Sequence, residues 1–162
     1  LALALSRRID VREAPPHIVA QLAGALVGSA GVLLLIGSYA DLGATVPASG
    51  EVLPALAGEF AFTALLVASV FYLADRGAGV GRWRWFLPGT VVGLSTYVIG
   101  PLSGSSLNPA RSLAPALVSG TFTDLGFYLG VIPLAAIVLA GLWKPTSVDR
   151  LDRGPGRLDT ST

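Results

Sequence analysis

Apolar residues run through this chain in four long blocks, residues 17–39, 54–73, 85–99 and 127–143, and nearly all the charge falls between them. Each block is near the roughly 20 residues that a helix needs to cross the hydrocarbon core of a bilayer. The third is the shortest and gains length if it extends toward Gly100 or back toward Arg82. Small residues recur inside the blocks, among them Gly24, Gly28, Gly31, Gly58 and Gly93. In lipid, where apolar side chains gain little by leaving the solvent, small residues let helix backbones approach and pack. The pattern predicts an all-α membrane protein with four spans.

The charges between the blocks sort by sign and so predict an orientation. Arg7, Arg8 and Arg12 precede the first span, Arg76, Arg82 and Arg84 join the second to the third, and Lys144, Arg150, Arg153 and Arg157 follow the fourth. Lys and Arg accumulate on the cytoplasmic side, which puts those three regions inside the cell. The loop at 37–53 has Asp41 and Glu51 but no basic residue, and the loop at 100–126 has Arg111 alone, so both face outside. Residues 1–143 then form the membrane domain and residues 144–162 a polar cytoplasmic tail, with the plasma membrane the expected location.

Composition narrows the chemistry. Hydrophobic residues make up 52% of the 162 and charged ones 13%, well below the quarter or so usual in soluble domains. A formal charge of +1 leaves no basic excess to neutralise phosphates, which argues against a nucleic-acid partner. With no cysteine and a single histidine, His17, neither a Cys-ligated nor a His-based metal site is expected. No cofactor is expected either. The spans offer no carboxylate pair, which argues against an enzyme. The absence of methionine suggests that the sequence continues upstream of Leu1.

The most informative segment lies in the last outer loop, Ser103 to Ser112, reading Ser-Gly-Ser-Ser-Leu-Asn-Pro-Ala-Arg-Ser. Asn108 is a good helix cap, and Pro109 suits the first helical position, where a missing N–H costs nothing. A helix of two to three turns from Ala110 to about Val118, ended by Gly120, is too short to span a bilayer and too apolar for an exposed loop. A re-entrant half-helix satisfies both facts, provided that the irregular backbone of 104–107 faces water or protein. Arg111 falls in its first turn, beside the positive end of the helix dipole. An arginine at membrane depth costs a few kcal/mol or more unless it lines an aqueous cavity or is paired, so it marks a functional position.

Leu-Ala-Leu-Ala-Leu at 1–5 echoes Leu-Ala-Pro-Ala-Leu at 113–117, each followed by a short loop and a long span. Two half-helices in corresponding places are what an inverted repeat shows. With its preceding Gly100-Pro-Leu-Ser-Gly-Ser-Ser-Leu107, the run Asn108-Pro-Ala-Arg-Ser112 resembles the second pore loop of the aquaporins. Residues 17–25 are similar to that family's third helix and Gly58-Glu59-Phe60 to its fourth. The resemblance implies an aquaporin-like inverted-repeat helical bundle with re-entrant half-helices, N-terminally truncated, without the first two helices and the first Asn-Pro-Ala loop.

What it implies of function is a passive channel for water and other small neutral solutes that excludes ions and protons, homotetrameric when complete. Asn108 would donate its amide to a single file of water, followed by Pro109 and Ala110 of the motif. Arg111 would sit at the outer filter, with Thr96 at the fifth-helix filter position and Ser105 at the loop position. Carbonyls of Gly104, Ser105 and Ser106 would accept hydrogen bonds from the permeating molecule, and Glu59 and Gln21 would be buried braces for the half-helices. Water-selective members commonly have histidine where this chain has Thr96, which implies a wider filter. Glycerol-conducting members commonly have aspartate where it has Ser112, which favours the water branch. Residues 1–162 by themselves are expected not to form a selective pore. A secondary transporter with broken helices and an inert truncated channel remain the alternatives.

Overall fold

The computed structural model describes residues 1–76, 81, 84 and 86–143. The tail at 144–162, with its four basic residues, and Arg82 and Trp85 lie outside the described residues. Every regular element among the described residues is helical. In chain order the α-helices are α1 (Ala2–Leu5), α2 (Ala14–Ile36), α3 (Val52–Arg76), α4 (Phe86–Val98), α5 (Gly100–Ser103), α6 (Pro109–Ser119) and α7 (Leu125–Leu142).

Three helices, α2 with the 3-10 turn Val11–Glu13 before it, α3 and α7, are long and apolar enough to cross a membrane. The first starts three residues before the apolar block, because Pro15 and Pro16 fall in its opening turn, where missing N–H groups cost little. It stops at Ile36, since Gly37 leaves helical geometry at φ 85°. The helix α4 is too short to span alone, but helical bonding continues past it. Ile99 N donates to Ser95 O at 2.8 Å and Ser103 N to Ile99 O at 2.8 Å, so the third block extends through α5 with a bend before Pro101.

The packing is crossed. Helix α1 lies on α7, α6 lies on α2 as well as on α7, and α3 touches α4, α5 and α7. Each short helix therefore rests on the long span that follows the other, as the internal echo of 1–5 and 113–117 suggests. Helix α3 meets the junction of α4 and α5 closely enough that a Cβ on Gly58 would stand 2.8 Å from Ile99 Cγ2. The interior is unusually polar, with Glu59, Ser95, Ser103 and Ser112 fully buried beside Tyr128 and Phe71. The outside is apolar: Leu34 and Leu35 of α2 are 85% and 88% exposed, and Ser29 is the one buried residue of that helix. Lipid as the surrounding solvent explains both halves of that distribution.

Candidate functional site

The site is built on α6. Asn108 has an extended backbone (φ −148°, ψ 121°), and its Oδ1 accepts from Ala110 N at 3.0 Å, capping the helix. Gly120 ends the helix in the left-handed region (φ 80°), with its N–H on Ala116 O. Both ends thus follow from local chemistry, Asn-Pro at the start and Gly at the stop. Because the cap uses the carbonyl oxygen of the amide, the two amide hydrogens of Asn108 remain for a molecule beside it.

Two cavities have this residue in their walls. One, of about 330 Å³, is walled mainly by apolar side chains of α3 and α7 together with Leu1, Leu3, Leu107 and Pro109. The other, of about 430 Å³, is lined by α2 residues, by Leu42 and Gly43, and by Ala110, Arg111 and Pro115. Asn108 and Gln21 line both.

The stretch ahead of Asn108 is strained. Gly104, Ser105 and Leu107 have φ of 77°, 48° and 53°, and for the two L-residues such geometry costs roughly 1–3 kcal/mol each unless the surroundings fix it. They do so here. Glu59 Oε1 accepts from Ser103 Oγ and from Ser106 N, each at 2.7 Å, and its Oε2 accepts from Leu107 N at 2.9 Å. Ser103 Oγ in turn accepts from Ser105 N at 3.1 Å, and Tyr128 donates its hydroxyl to Ser103 O at 2.7 Å. At Gly104 a side chain would be strained by φ and would crowd Thr45 Cα at 3.2 Å.

The loop at 37–53 closes over this stretch. Ala40, Asp41 and Leu42 are all left-handed (φ 50°, 48° and 56°), followed by Gly43 at 76°. Arg111 holds the turn: Nη1 donates to Gly43 O at 2.7 Å, while Nη2 reaches Gly104 O at 3.4 Å. Beside it Thr45 donates to Ser112 Oγ at 2.7 Å. Ser112 is hydrogen-bonded to Ser106 Oγ, which donates to Asn108 O at 3.0 Å. Ala48 N donates to Leu102 O at 2.8 Å. The two loops assigned to one side by their charge are thus joined at one end of the bundle.

The expected site residues do not all converge. Asn108, Pro109, Ala110 and Arg111 line one or both cavities, and Ser106 is buried in the hydroxyl relay. Ser105 is buried and shares a hydrogen bond with Ser95 Oγ at 2.8 Å, so its hydroxyl is engaged with α4. Thr96 is exposed, bonds back to Val92 O at 3.0 Å, and lines neither cavity. Gln21, expected as a buried brace, is exposed on α2 and its amide makes no hydrogen bond among the described residues. The physical reason is that α2 presents only Ser29 to the interior. The Gly104 carbonyl, expected to face the permeant, accepts from Arg111. Ser103, Tyr128, Thr45, Ser112 and Ser95 complete the site without having been singled out as its supports. Beside short-range bonds such as Ser103 to Ser105 and Ser112 to Ser106, each has a partner 10 to 67 residues away, and no local pattern announces those distant partners.

A sequence model described as Major intrinsic protein matches residues 1–143. Nodulin-26 of Glycine max is 35% identical over 156 residues, covering 94% of this chain and 56% of its own length. Aquaporin NIP1-1 of Zea mays is 35% identical over 144 residues, 88% of this chain and 50% of its own. Aquaporin TIP4-4 of Zea mays is 38% identical over 151 residues, 88% of this chain and 59% of its own. The chain spans about half the length of the curated relatives it matches.

Proposed function

This chain belongs to the major intrinsic protein family, and from that premise we propose that it serves a passive channel for water and other small neutral solutes. The observation that carries the reading is the amide of Asn108, whose oxygen is spent on the α6 cap while the residue lines two cavities. A molecule passing from one cavity to the other exchanges hydrogen bonds with bulk water for bonds with that amide. Arg111 lines the second cavity in the first turn of α6. Its charge and the positive end of the helix dipole both oppose cations and protons there. No energy source enters the scheme. To this reading we add a homotetramer, which the resemblance implies, and a plasma-membrane location with the C-terminus in the cytoplasm, which the distribution of Lys and Arg between the apolar blocks suggests.

A secondary transporter would need a carboxylate available for ion coupling. Glu59, the one carboxylate buried within a span beside the site, has both oxygens occupied by Ser103, Ser106 and Leu107, which favours the channel. Ser112 supports the water branch by another route than its contact with solute: it is fully buried and bridges Thr45 and Ser106. An aspartate there would place a charge inside the hydroxyl relay.

The test is stopped-flow shrinkage of liposomes carrying the full gene product. Osmotic water permeability several-fold above that of empty vesicles is expected, with unchanged proton and cation conductance and slower glycerol entry. Water permeability equal to that of empty vesicles overturns the channel reading, and glycerol flux matching water flux overturns the assignment to the water branch.

A further inference from the structure

Ser29 is 7% exposed and is the one buried residue of α2, the long helix that packs on α6. It lies in the wall of the 430 Å³ cavity together with Gln21, Ala25, Gly28 and Val32. At 3.6 residues per turn those five positions form one stripe along the helix, so the face that carries Ser29 is the face turned to the cavity. The opposite wall includes Ala110, Arg111 and Pro115 of α6.

The hydroxyl in this wall is free. Thr90 and Thr96 donate to carbonyls four residues back, and Ser69 and Ser95 to carbonyls three residues back. Such bonds are open to any helical serine or threonine, yet Ser29 makes no side-chain hydrogen bond. Among the described residues that are not exposed, the unbonded side-chain atoms sealed from contact belong to Arg8 and Thr63. Ser29 Oγ is not one of them and so keeps surface open to a water-sized molecule. Buried hydroxyls are nearly always bonded, and one that is open but unbonded in a cavity wall points to a molecule in the cavity.

The donors and acceptors around the cavity say what Ser29 adds. Its polar side chains come from Gln21, Ser29, Asn108 and Arg111. Arg111 can only donate, and the oxygen of Asn108 is committed to the α6 cap. Acceptors among these side chains are therefore Gln21, which is exposed, and Ser29, which is buried. We infer that Ser29 Oγ accepts, on the α2 side of the cavity, the hydrogen bond of a water or small hydroxylated solute that the two donors cannot receive. The inference rests on the channel reading and adds a wall residue to a site otherwise built from α6 and the loop before it.

Two measurements on the full gene product in liposomes decide it. Ser29→Cys, in a background with every other cysteine replaced by alanine, is treated with a small water-soluble methanethiosulfonate. The thiol should be modified, and modification should lower osmotic water permeability while leaving the cysteine-free parent unaffected. A thiol that is not modified shows that position 29 is closed to water, and a fully modified protein with undiminished flux puts it off the path; either overturns the inference. Ser29→Ala removes the hydroxyl without disturbing a helix and should lower water permeability per channel by about two- to ten-fold, the range for one hydrogen bond of ordinary strength. Permeability equal to wild type overturns the acceptor role even if the thiol is modified, and leaves the channel reading intact. A wild-type protein that conducts no water, with a Cys variant that is modified, removes the channel reading and with it the role of Ser29 in permeation.

Discussion

Two arginines mark the two ends of this molecule, and they are held in opposite ways. Arg111, at the end where the two loops join, is bonded to backbone carbonyls of Gly43 and Gly104, and no salt bridge to it is found among the described residues. Its charge is oriented and left uncancelled beside a cavity. Arg8, at the far end, forms a buried ion pair with Asp75 and lies 4.2 Å over the Phe71 ring. Trp143 Nε1 donates to the other Asp75 oxygen at 2.8 Å and its ring packs on Phe71 with centroids 5.8 Å apart. Here the charge is cancelled and the cluster joins the turn after α1 to the ends of α3 and α7. An arginine that neutral dipoles hold can act on what passes by; an arginine that a carboxylate holds acts on the fold.

The largest effect expected from this contrast is at Asp75. Removing one member of a buried pair strands the other charge, which costs about 3–5 kcal/mol. Asp75→Ala should therefore lower the thermal stability of the full gene product in detergent by many degrees, and replacing Arg8 and Asp75 together by Met and Leu should restore most of it. Equal stability of Asp75→Ala and wild type would show that the pair is not formed. Ion exclusion by whatever protein still inserts should be unaltered.

Arg111→Val reverses the pattern. The guanidinium's bond to Gly43 O, about 1.5–3 kcal/mol for a bond with a charged partner, and its longer contact with Gly104 O are lost, offset by relief from burying a guanidinium. Stability should change little, whereas proton or cation leak through reconstituted channels should rise because the fixed positive charge is gone. An unchanged leak, measured as dye-reported proton flux at fixed water permeability, would remove Arg111 from ion exclusion and erase the contrast with Arg8.

The part of this arrangement that the chain announces is the part set by neighbours in sequence. Asn108, Pro109 and Gly120 define α6 because caps and stops act within a few residues. The apolar blocks give the spans to within a few residues, except where Pro15 and Pro16 carry a helix back or Gly37 halts it. What the sequence does not announce is pairing at distance. Arg8 reads as one of three basic residues in a cytoplasmic cluster, and its neutralisation by Asp75, 67 positions on, is invisible until the helices pack. Ser103 reads as loop polarity, yet it links Glu59 to Ser105 and Tyr128. Gln21 reads as a buried brace by resemblance and is exposed on a helix that buries almost nothing. The left-handed turn at 40–43 carries a single glycine to suggest it, because tertiary bonds to Arg111 rather than local preference hold it.

The smallest effect expected is at Thr45, and it sharpens the contrast by asking how the loop at 37–53 supports Arg111. Thr45 is 3% exposed and donates its hydroxyl to Ser112 Oγ, next to the Gly43 carbonyl that receives Arg111. Thr45→Val keeps the shape and deletes one neutral hydrogen bond. Ser112 keeps its bond to Ser106, so no donor or acceptor is fully orphaned and the loss should be about 1 kcal/mol. That is a shift of a few degrees in thermal midpoint for a protein of this size, much smaller than at Asp75. The functional readout should nevertheless lean the way Arg111→Val does. A looser turn lets the guanidinium leave Gly43 O part of the time, and ion leak should rise slightly with water flux preserved. A Thr45→Val protein with wild-type stability and wild-type ion exclusion would show that Arg111 is positioned by its two carbonyls alone and owes nothing to the hydroxyl relay behind them.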